Sequence, residues 1–362
     1  MRSKTNIKDK IQIWGWRQGL KVNAKIHDLN YFFWETSLGC NLSCRHCGSE
    51  CGMDKKGEEL CADKVLKVFK NISKHYDAHK IMVAVTGGEP LLRSDLFDIM
   101  KEVSSMGFPW GMVTNGMLVN EAIVEKANKA GMRTVSVSLD GLEASHNYLR
   151  NNEKAFEGAI NALKLFKASG KFDSVEAITC VYNKNIDELE GIYEMLKAMG
   201  IEEWRIFNIF SKGRAALDDE LLLDKNGFTS VLEFIKDKRE GMGGLKVSYA
   251  EEGYLGCDYE RKVRDTFFYC GAGINVAGLL SDGSYSACPS LSKEWKQGHV
   301  DEAPFSEVWE NKYKNMRDRS WMKTKKCLKC KEWKNCKGSS LHLWDWENNN
   351  TTLCPYELFN KG

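Results

Sequence analysis

Between residues 30 and 210 the chain alternates short apolar, β-rich runs with helix-patterned stretches, and this alternation leaves few architectures open. The runs are Asn30–Thr36, Ile81–Thr86, Trp110–Thr114, Thr134–Leu139, Val175–Tyr182 and Trp204–Ile209. Their near-continuous hydrophobicity predicts strands buried on both faces, as in a parallel sheet. Between them, Val65, Val68, Phe69 and Ile72 follow the i, i+3, i+4, i+7 spacing of a one-faced helix, as do Leu189, Ile192, Tyr193 and Leu196. Four helical stretches end on glycine (Gly107, Gly131, Gly170 and Gly200), the residue that closes a helix in the left-handed conformation at least cost. Six β/α units in succession predict a doubly wound sheet or a barrel-like arc. The alternation then stops: residues 211 to about 250 read as a connection with one helix near Phe228–Lys238, followed by short strands and turns such as Ser281-Asp282-Gly283-Ser284.

Thirteen cysteines sit in this frame, and their distribution is uneven. Cys40, Cys44, Cys47 and Cys51 cluster early, seven lie between Cys257 and Cys354, and only Cys61 and Cys180 are isolated. The N-terminal segment breaks its few apolar residues with charge and has no signal-peptide pattern, and no segment reaches a membrane-spanning length. A cytoplasmic location is expected, where clustered cysteines point to metal ligation rather than disulfides. The 52 basic and 50 acidic side chains leave a formal charge of +2. That balance argues against a general nucleic-acid or membrane partner. Cys61, one turn before Val65, is expected in the core.

The segment Gly39-Cys40-Asn41-Leu42-Ser43-Cys44-Arg45-His46-Cys47 carries C-x3-C-x2-C directly after the first strand. Three thiolates on one loop suit three irons of a cubane and leave a fourth iron open to another ligand. A zinc site completed by Cys51 or His46 is the alternative on spacing alone. A second landmark, Thr86-Gly87-Gly88-Glu89-Pro90, closes the second strand. Together these motifs resemble the radical SAM superfamily, and the further resemblance follows chain order: Thr114-Asn115-Gly116, Ser138-Leu139-Asp140-Gly141, Arg150, and Gly213-Arg214-Ala215 toward the adenine side. All lie at strand C-terminal ends, the face on which β/α barrels carry their sites. The resemblance implies a [4Fe–4S] cluster on Cys40, Cys44 and Cys47, and S-adenosylmethionine bound by Gly87, Gly88, Glu89, Pro90, Asn115, Ser138, Asp140 and Arg150. It further implies one-electron cleavage to methionine and a 5′-deoxyadenosyl radical that removes a substrate hydrogen. Cys180, near the end of the fifth strand, is read as packing or as a thiol that returns a hydrogen atom to a substrate radical.

The late cysteines, Cys270-x12-Gly283-x4-Cys288 then Cys327-x2-Cys330-x5-Cys336 and Cys354, resemble the SPASM auxiliary-cluster domain, as does Gly298-His299-Val300 with Trp309. A zinc ribbon is the alternative. The resemblance implies one auxiliary cluster on Cys327, Cys330, Cys336 and Cys354, and another on Cys257, Cys270 and Cys288. Ser340 stands where the pattern places a further cysteine, leaving that second site open or capped by Ser340, His342 or water. The expected architecture is an N-terminal extension (1–29), a partial (β/α)6 TIM-like barrel (30–215), a connecting helical region (216–254) and a SPASM domain (255–362). The expected activity is that of a maturase that abstracts hydrogen from a peptide or protein, giving a cross-link, dehydrogenation or epimerisation. A flavodoxin or ferredoxin is the expected reducing partner. A small-molecule substrate and a non-catalytic electron carrier are the alternatives.

Overall fold

The computed structural model describes residues 7–55, 59–241, 243–250 and 253–360. Seven parallel strands follow in sequence and lie side by side: β1 (Tyr31–Glu35), β2 (Met82–Thr86), β3 (Trp110–Thr114), β4 (Met132–Ser138), β5 (Ser174–Val181), β6 (Glu203–Asn208) and β7 (Lys246–Tyr249). On the free side of β1 the chain adds β8 (Val276–Leu279), parallel to β1, then β9 (Ser284–Ser286) and β10 (Gly298–His299), each antiparallel to its neighbour. The result is one ten-stranded mixed sheet of a partial β/α barrel, ordered β10-β9-β8-β1-β2-β3-β4-β5-β6-β7.

Preceding β1 is α1 (Ile7–Ile26), and between the parallel strands run α2 (Ala62–His75), α3 (Leu96–Ser105), α4 (Glu121–Lys129), α5 (Glu143–Arg150), α6 (Ala155–Ser169), α7 (Leu189–Ala198) and α8 (Lys225–Glu240). The predicted stripes are the buried ones: Val65, Val68, Phe69 and Ile72 on α2, and Leu189, Ile192, Tyr193 and Leu196 on α7. All four helix-closing glycines take positive φ. A C-terminal helix α9 (Cys257–Val263) is fastened to β7 by a buried pair: Arg264 Nη1 donates to Glu260 at 2.6 Å, and Nη2 donates to the Ala250 carbonyl at 3.0 Å.

Three features differ from the sequence expectation. Strands β5 and β6 are not buried on both faces; their residues alternate between buried and half-buried. Val175, Ala177 and Val181 join the core under the helices, while Glu176, Ile178 and Cys180 share the opposite, less covered face. There Arg205 pairs with Glu176, where partial solvation keeps the desolvation cost of an ionised pair low. The segment expected to be a mere connection contributes β7, and the C-terminal segment contributes β8, so the sheet is continuous across the expected boundaries. Cys61 is exposed rather than core, because it lies at the N-cap of α2, ahead of its apolar stripe.

Candidate cluster and cofactor site

The loop after β1 is held open by backbone bonds rather than by its own side chains. Gly52 N–H donates to the Leu38 carbonyl (3.2 Å) and Cys40 N–H to the Gly52 carbonyl (3.1 Å), so the loop returns on itself around Cys44 and Cys47. Arg214 staples it from the far end of the sheet: Nε donates to the Cys44 carbonyl (2.7 Å), Nη1 to the Cys51 carbonyl (3.0 Å), and its N–H to the Cys47 carbonyl (3.1 Å). Gly213-Arg214 thus braces the cysteine loop in this structure.

Donors converge on the sulfurs. Leu42 N–H points at Cys40 Sγ (3.4 Å), Asn115 Nδ2 lies 3.9 Å from the same sulfur, and Arg150 Nη1 lies 3.8 Å from Cys44 Sγ. Burial alone would keep these thiols protonated, pushing Cys40 up to about 11 and raising Cys44. A hydrogen bond from Cys51, set against burial, carries Cys47 down to about 5. Thiols raised by burial yet faced by N–H donors suit anionic sulfur held by a metal. Among the described residues no three cysteine sulfurs lie within 4.8 Å of one another.

Gly87-Gly88-Glu89-Pro90 lies against this loop. Gly88 N–H donates to the Ser37 carbonyl (2.8 Å) and Glu89 N–H to the Gly39 carbonyl (2.9 Å), and a side chain on Gly88 would drive into the Gly39 carbonyl oxygen. Glu89 is buried, and its carboxylate accepts from Thr114 Oγ1 (2.8 Å), Asn115 N–H (2.9 Å) and Leu91 N–H (3.2 Å). Burial raises its pKa against these bonds. The side chain fastens the end of β2 to the end of β3, a positioning role that the motif did not disclose. Asn115 is placed by the same tie, its Nδ2 also donating to Asn41 Oδ1 (2.8 Å), while Ser138 is buried at the end of β4.

Asp140 and Arg150 form a buried pair (Nε to Oδ2, 2.5 Å), and Asp140 Oδ1 accepts the Cys180 N–H at 2.9 Å. Burial opposes ionisation of Asp140, but the Arg150 guanidinium holds the carboxyl down to about 2. His46, Asp140 and Cys180 bring one donor atom each to within 4.8 Å. The structure thus sets Cys180 beside this pair. Burial lowers His46 to about 4, and its Nδ1 has no partner.

In the C-terminal region Cys327, Cys330, Cys336 and Cys354 come together. Burial raises Cys336, and each of the other three thiols raises it further. Cys270 acts on Cys288, whose thiol burial pushes up to about 11. Arg319 ties Cys270 to Ser339, donating to the Cys270 carbonyl (2.7 Å) and the Ser339 carbonyl (3.4 Å). The Ser340 hydroxyl is buried without a partner. The Cys257 thiol meets Tyr254 Oη at 3.1 Å, and Tyr254 N–H donates to Ser339 Oγ at 3.2 Å.

A cavity of about 350 Å³ lies between the end of β6 and the C-terminal region. Phe210, Trp295, Leu341 and Trp344 are among its walls, and Lys212 and His342 are its ionisable lining residues. Burial lowers the pKa of Lys212, whose Nζ donates to the Ser290 carbonyl (2.5 Å). Burial also lowers His342 to about 4, its ring lies 4.6 Å from Phe210, and its Nε2 has no partner. Sequence reasoning missed Lys212. Its one signal was position, just beyond the C-terminal end of a barrel strand.

Residues 34–196 match the radical SAM superfamily and residues 270–331 match an iron–sulfur cluster-binding domain, SPASM. The AdoMet-dependent heme synthase of Methanosarcina barkeri is 27% identical over 350 residues, covering 91% of this chain and 96% of that protein. The heme synthase of Nitratidesulfovibrio vulgaris is 25% identical over 343 residues, covering 90% and 91%. Among solved structures, anSMEcpe with bound AdoMet and the Cp18Cys peptide shares the fold with a TM-score of 0.70 at 20% identity, covering 90% of this chain and 93% of that one. Fold, motifs and both matches agree: this chain is a radical SAM enzyme with a C-terminal SPASM domain, using S-adenosylmethionine, a [4Fe–4S] cluster and auxiliary iron–sulfur clusters.

Proposed function

We propose that the enzyme acts on a small, flat, carboxylate-bearing molecule of the haem-precursor class rather than on the peptide or protein expected from the motifs. The observation that carries this is the cavity beyond β6: aromatic and aliphatic walls with a single lysine, Lys212. Such walls suit the face of a conjugated ring, and one buried cation suits one carboxylate. The heme synthases, which match over nine-tenths of the chain, support the same class.

Cys40, Cys44 and Cys47 would hold the catalytic cluster, and Gly87, Gly88, Glu89, Pro90, Asn115, Ser138, Asp140 and Arg150 would surround S-adenosylmethionine. When bound, the cluster and S-adenosylmethionine supply one-electron reductive cleavage and, with it, hydrogen-atom abstraction. The chain's own residues do the rest. Arg150 keeps Asp140 ionised and presents an N–H to Cys44. Glu89 locks two strand ends so that Gly88 stays against the cysteine loop. Lys212 would orient a substrate carboxylate, and Phe210 and Trp344 would keep water from the reacting carbon. Cys327, Cys330, Cys336 and Cys354 would hold one auxiliary cluster. Cys257, Cys270 and Cys288 would hold another; Tyr254, beside Cys257, and Arg319, on the Cys270 carbonyl, both bond to Ser339.

The test is to offer reconstituted, reduced protein an iron porphyrin with propionate side chains or a panel of short peptides. Porphyrin-stimulated 5′-deoxyadenosine formation and a shift of the porphyrin absorption band on binding are expected. Lys212→Met should weaken porphyrin binding about tenfold to a hundredfold, the worth of a charge-assisted hydrogen bond, without abolishing cleavage of S-adenosylmethionine. Stimulation by peptides alone would overturn this reading.

A further inference from the structure

Seven lysines are packed into the fifteen residues that carry three of the four late thiols: Lys323, Lys325, Lys326, Lys329, Lys331, Lys334 and Lys337, interleaved with Cys327, Cys330 and Cys336. Six are exposed and Lys337 is half-buried. A run of lysines is ordinarily a solvated face with acids among them; here the acids that meet it, Glu357, Asp345 and Asp318, come from other segments and are fewer than the lysines. The one acid in the segment, Glu332, is turned inward, accepting from Tyr254 Oη (2.5 Å) and Asn335 Nδ2 (2.7 Å). Among the described residues only Lys326 of the seven forms an ion pair, with Glu357 at 3.5 Å. In a chain with 52 basic and 50 acidic side chains, this is a local concentration of one sign. Crowded like charges repel one another.

Apolar side chains are exposed in the same region. Leu328, between Cys327 and Lys329, is 58% exposed, and Trp346 is 41% exposed. Trp346 belongs to the hairpin that Lys325 and Thr324 hold through the carbonyls of Asn348 and Asn349. A patch of one charge with exposed apolar side chains beside it suits a brief, electrostatically steered contact rather than a permanent interface. Cys327 and Cys330 are themselves only half-buried, so a partner seated here would approach the thiols closely.

We propose that this lysine collar docks an acidic one-electron carrier of the flavodoxin or ferredoxin class. The proposal rests on the reading that the four thiols hold an iron–sulfur cluster and that each cleavage of S-adenosylmethionine consumes one electron. The reduced carrier gives up that electron and leaves oxidised by one. No proton or group is transferred at the collar.

The experiment uses reconstituted holoenzyme and oxidised flavodoxin, with binding followed by calorimetry. Formation of 5′-deoxyadenosine is driven separately by reduced flavodoxin and by dithionite, a small reductant that needs no docking. Lys329→Glu/Lys331→Glu/Lys334→Glu should raise the flavodoxin Kd by about tenfold or more, as reversal of a steering patch does. It should slow flavodoxin-driven cleavage in proportion and leave dithionite-driven cleavage and iron content unchanged. Arginine at the same three positions should restore binding. Wild-type affinity should fall as salt rises, because exposed charges are screened beyond about 8 Å at physiological ionic strength. Equal flavodoxin binding by wild type and the glutamate variant, or salt-independent wild-type affinity, would overturn the proposal. So would tighter binding to single-stranded RNA or phosphatidylglycerol vesicles than to flavodoxin. Iron content no higher than the roughly four per chain of a single cubane, or no dithionite-driven cleavage by wild type, would instead undo the reading on which the proposal rests.

Discussion

Arg150 has one polar partner on each side. Its Nε holds Asp140, and its Nη1 faces Cys44, in a site where both members of the ion pair are almost fully buried. Removing the guanidinium leaves a buried carboxylate without its counter-charge, which costs roughly 3–5 kcal/mol. Arg150→Ala should therefore lower the denaturant midpoint sharply, and adding Asp140→Asn should recover much of the loss; a double variant no better than the single one would contradict the pairing. The same cluster makes the protein acid-labile. Asp140 is held at about 2 against an ordinary 3.8, so its contribution is complete above about pH 4 and disappears as pH falls toward 2. His146, whose Nδ1 accepts the Asp140 N–H at 2.8 Å, is lowered by burial to about 4 from 6.5. The folded state thus prefers it neutral, and that preference is lost between pH 6.5 and 4. Stability of the cluster-free protein should fall through both windows, by up to about 1.4 kcal/mol per pH unit for each proton, and His146→Gln should lessen the slope of the upper one, which His46 and His342 share. Much of this was legible as positions only. Cys40, Glu89 and Arg150 announce themselves by spacing, but that Glu89 is spent on Thr114 and Asn115 depends on two strand ends meeting, which no local pattern encodes.

At the scale of elements, the cysteine loop and the glycine pair after β2 form one unit, because Gly88 and Gly39 approach too closely for any side chain between them. Gly88→Ala must push the two apart. The expected result is a folded protein that loses about four irons per chain, one cubane, while the C-terminal clusters remain, checked by iron and sulfide analysis after reconstitution. Gly170→Ala, with φ +61 but open space around its added methyl, should cost some stability and no iron. Strands β1 to β6 were readable because continuous apolar runs alternating with one-faced helices suit little besides a parallel sheet. Two elements were not. In α1 the inward residues Trp16 and Leu20 share the helix with the exposed Ile11 and Trp14, so no single stripe stands out. Strand β7 is four residues long, and its assignment comes from pairing with β6 rather than from its own composition.

For the whole molecule, the sheet matters more than the division into a barrel and an appendage. Strand β1 has β2 on one side and β8 on the other, and β8 belongs to the C-terminal segment. The helix Phe305–Asn311 closes over the same place: Phe305 lies 5.2 Å from Phe32 and 5.4 Å from Tyr285, and Trp309 donates to the His27 carbonyl at 3.1 Å. Further along, α1 reaches the cysteine-rich end through Arg17 and Asn335 (2.5 Å). Cutting the chain after residue 254 would expose the full edge of β1 and uncover Phe32, at about 1.5–3 kcal/mol for each large apolar side chain returned to water. Residues 1–254 should therefore be aggregation-prone or molten, with dye-accessible apolar surface. The full cluster-free chain, by contrast, should unfold in one transition that far-UV circular dichroism and tryptophan fluorescence report at the same denaturant concentration. Tryptophan fluorescence reports on both regions, since Trp34, Trp110 and Trp204 are buried in the barrel and Trp295, Trp321 and Trp344 cluster in the C-terminal part. Separate midpoints, or a truncated chain that stays monomeric and melts cooperatively near the full-length temperature, would mean that the barrel stands without its C-terminal strands and that the shared sheet is only a contact between two independent domains.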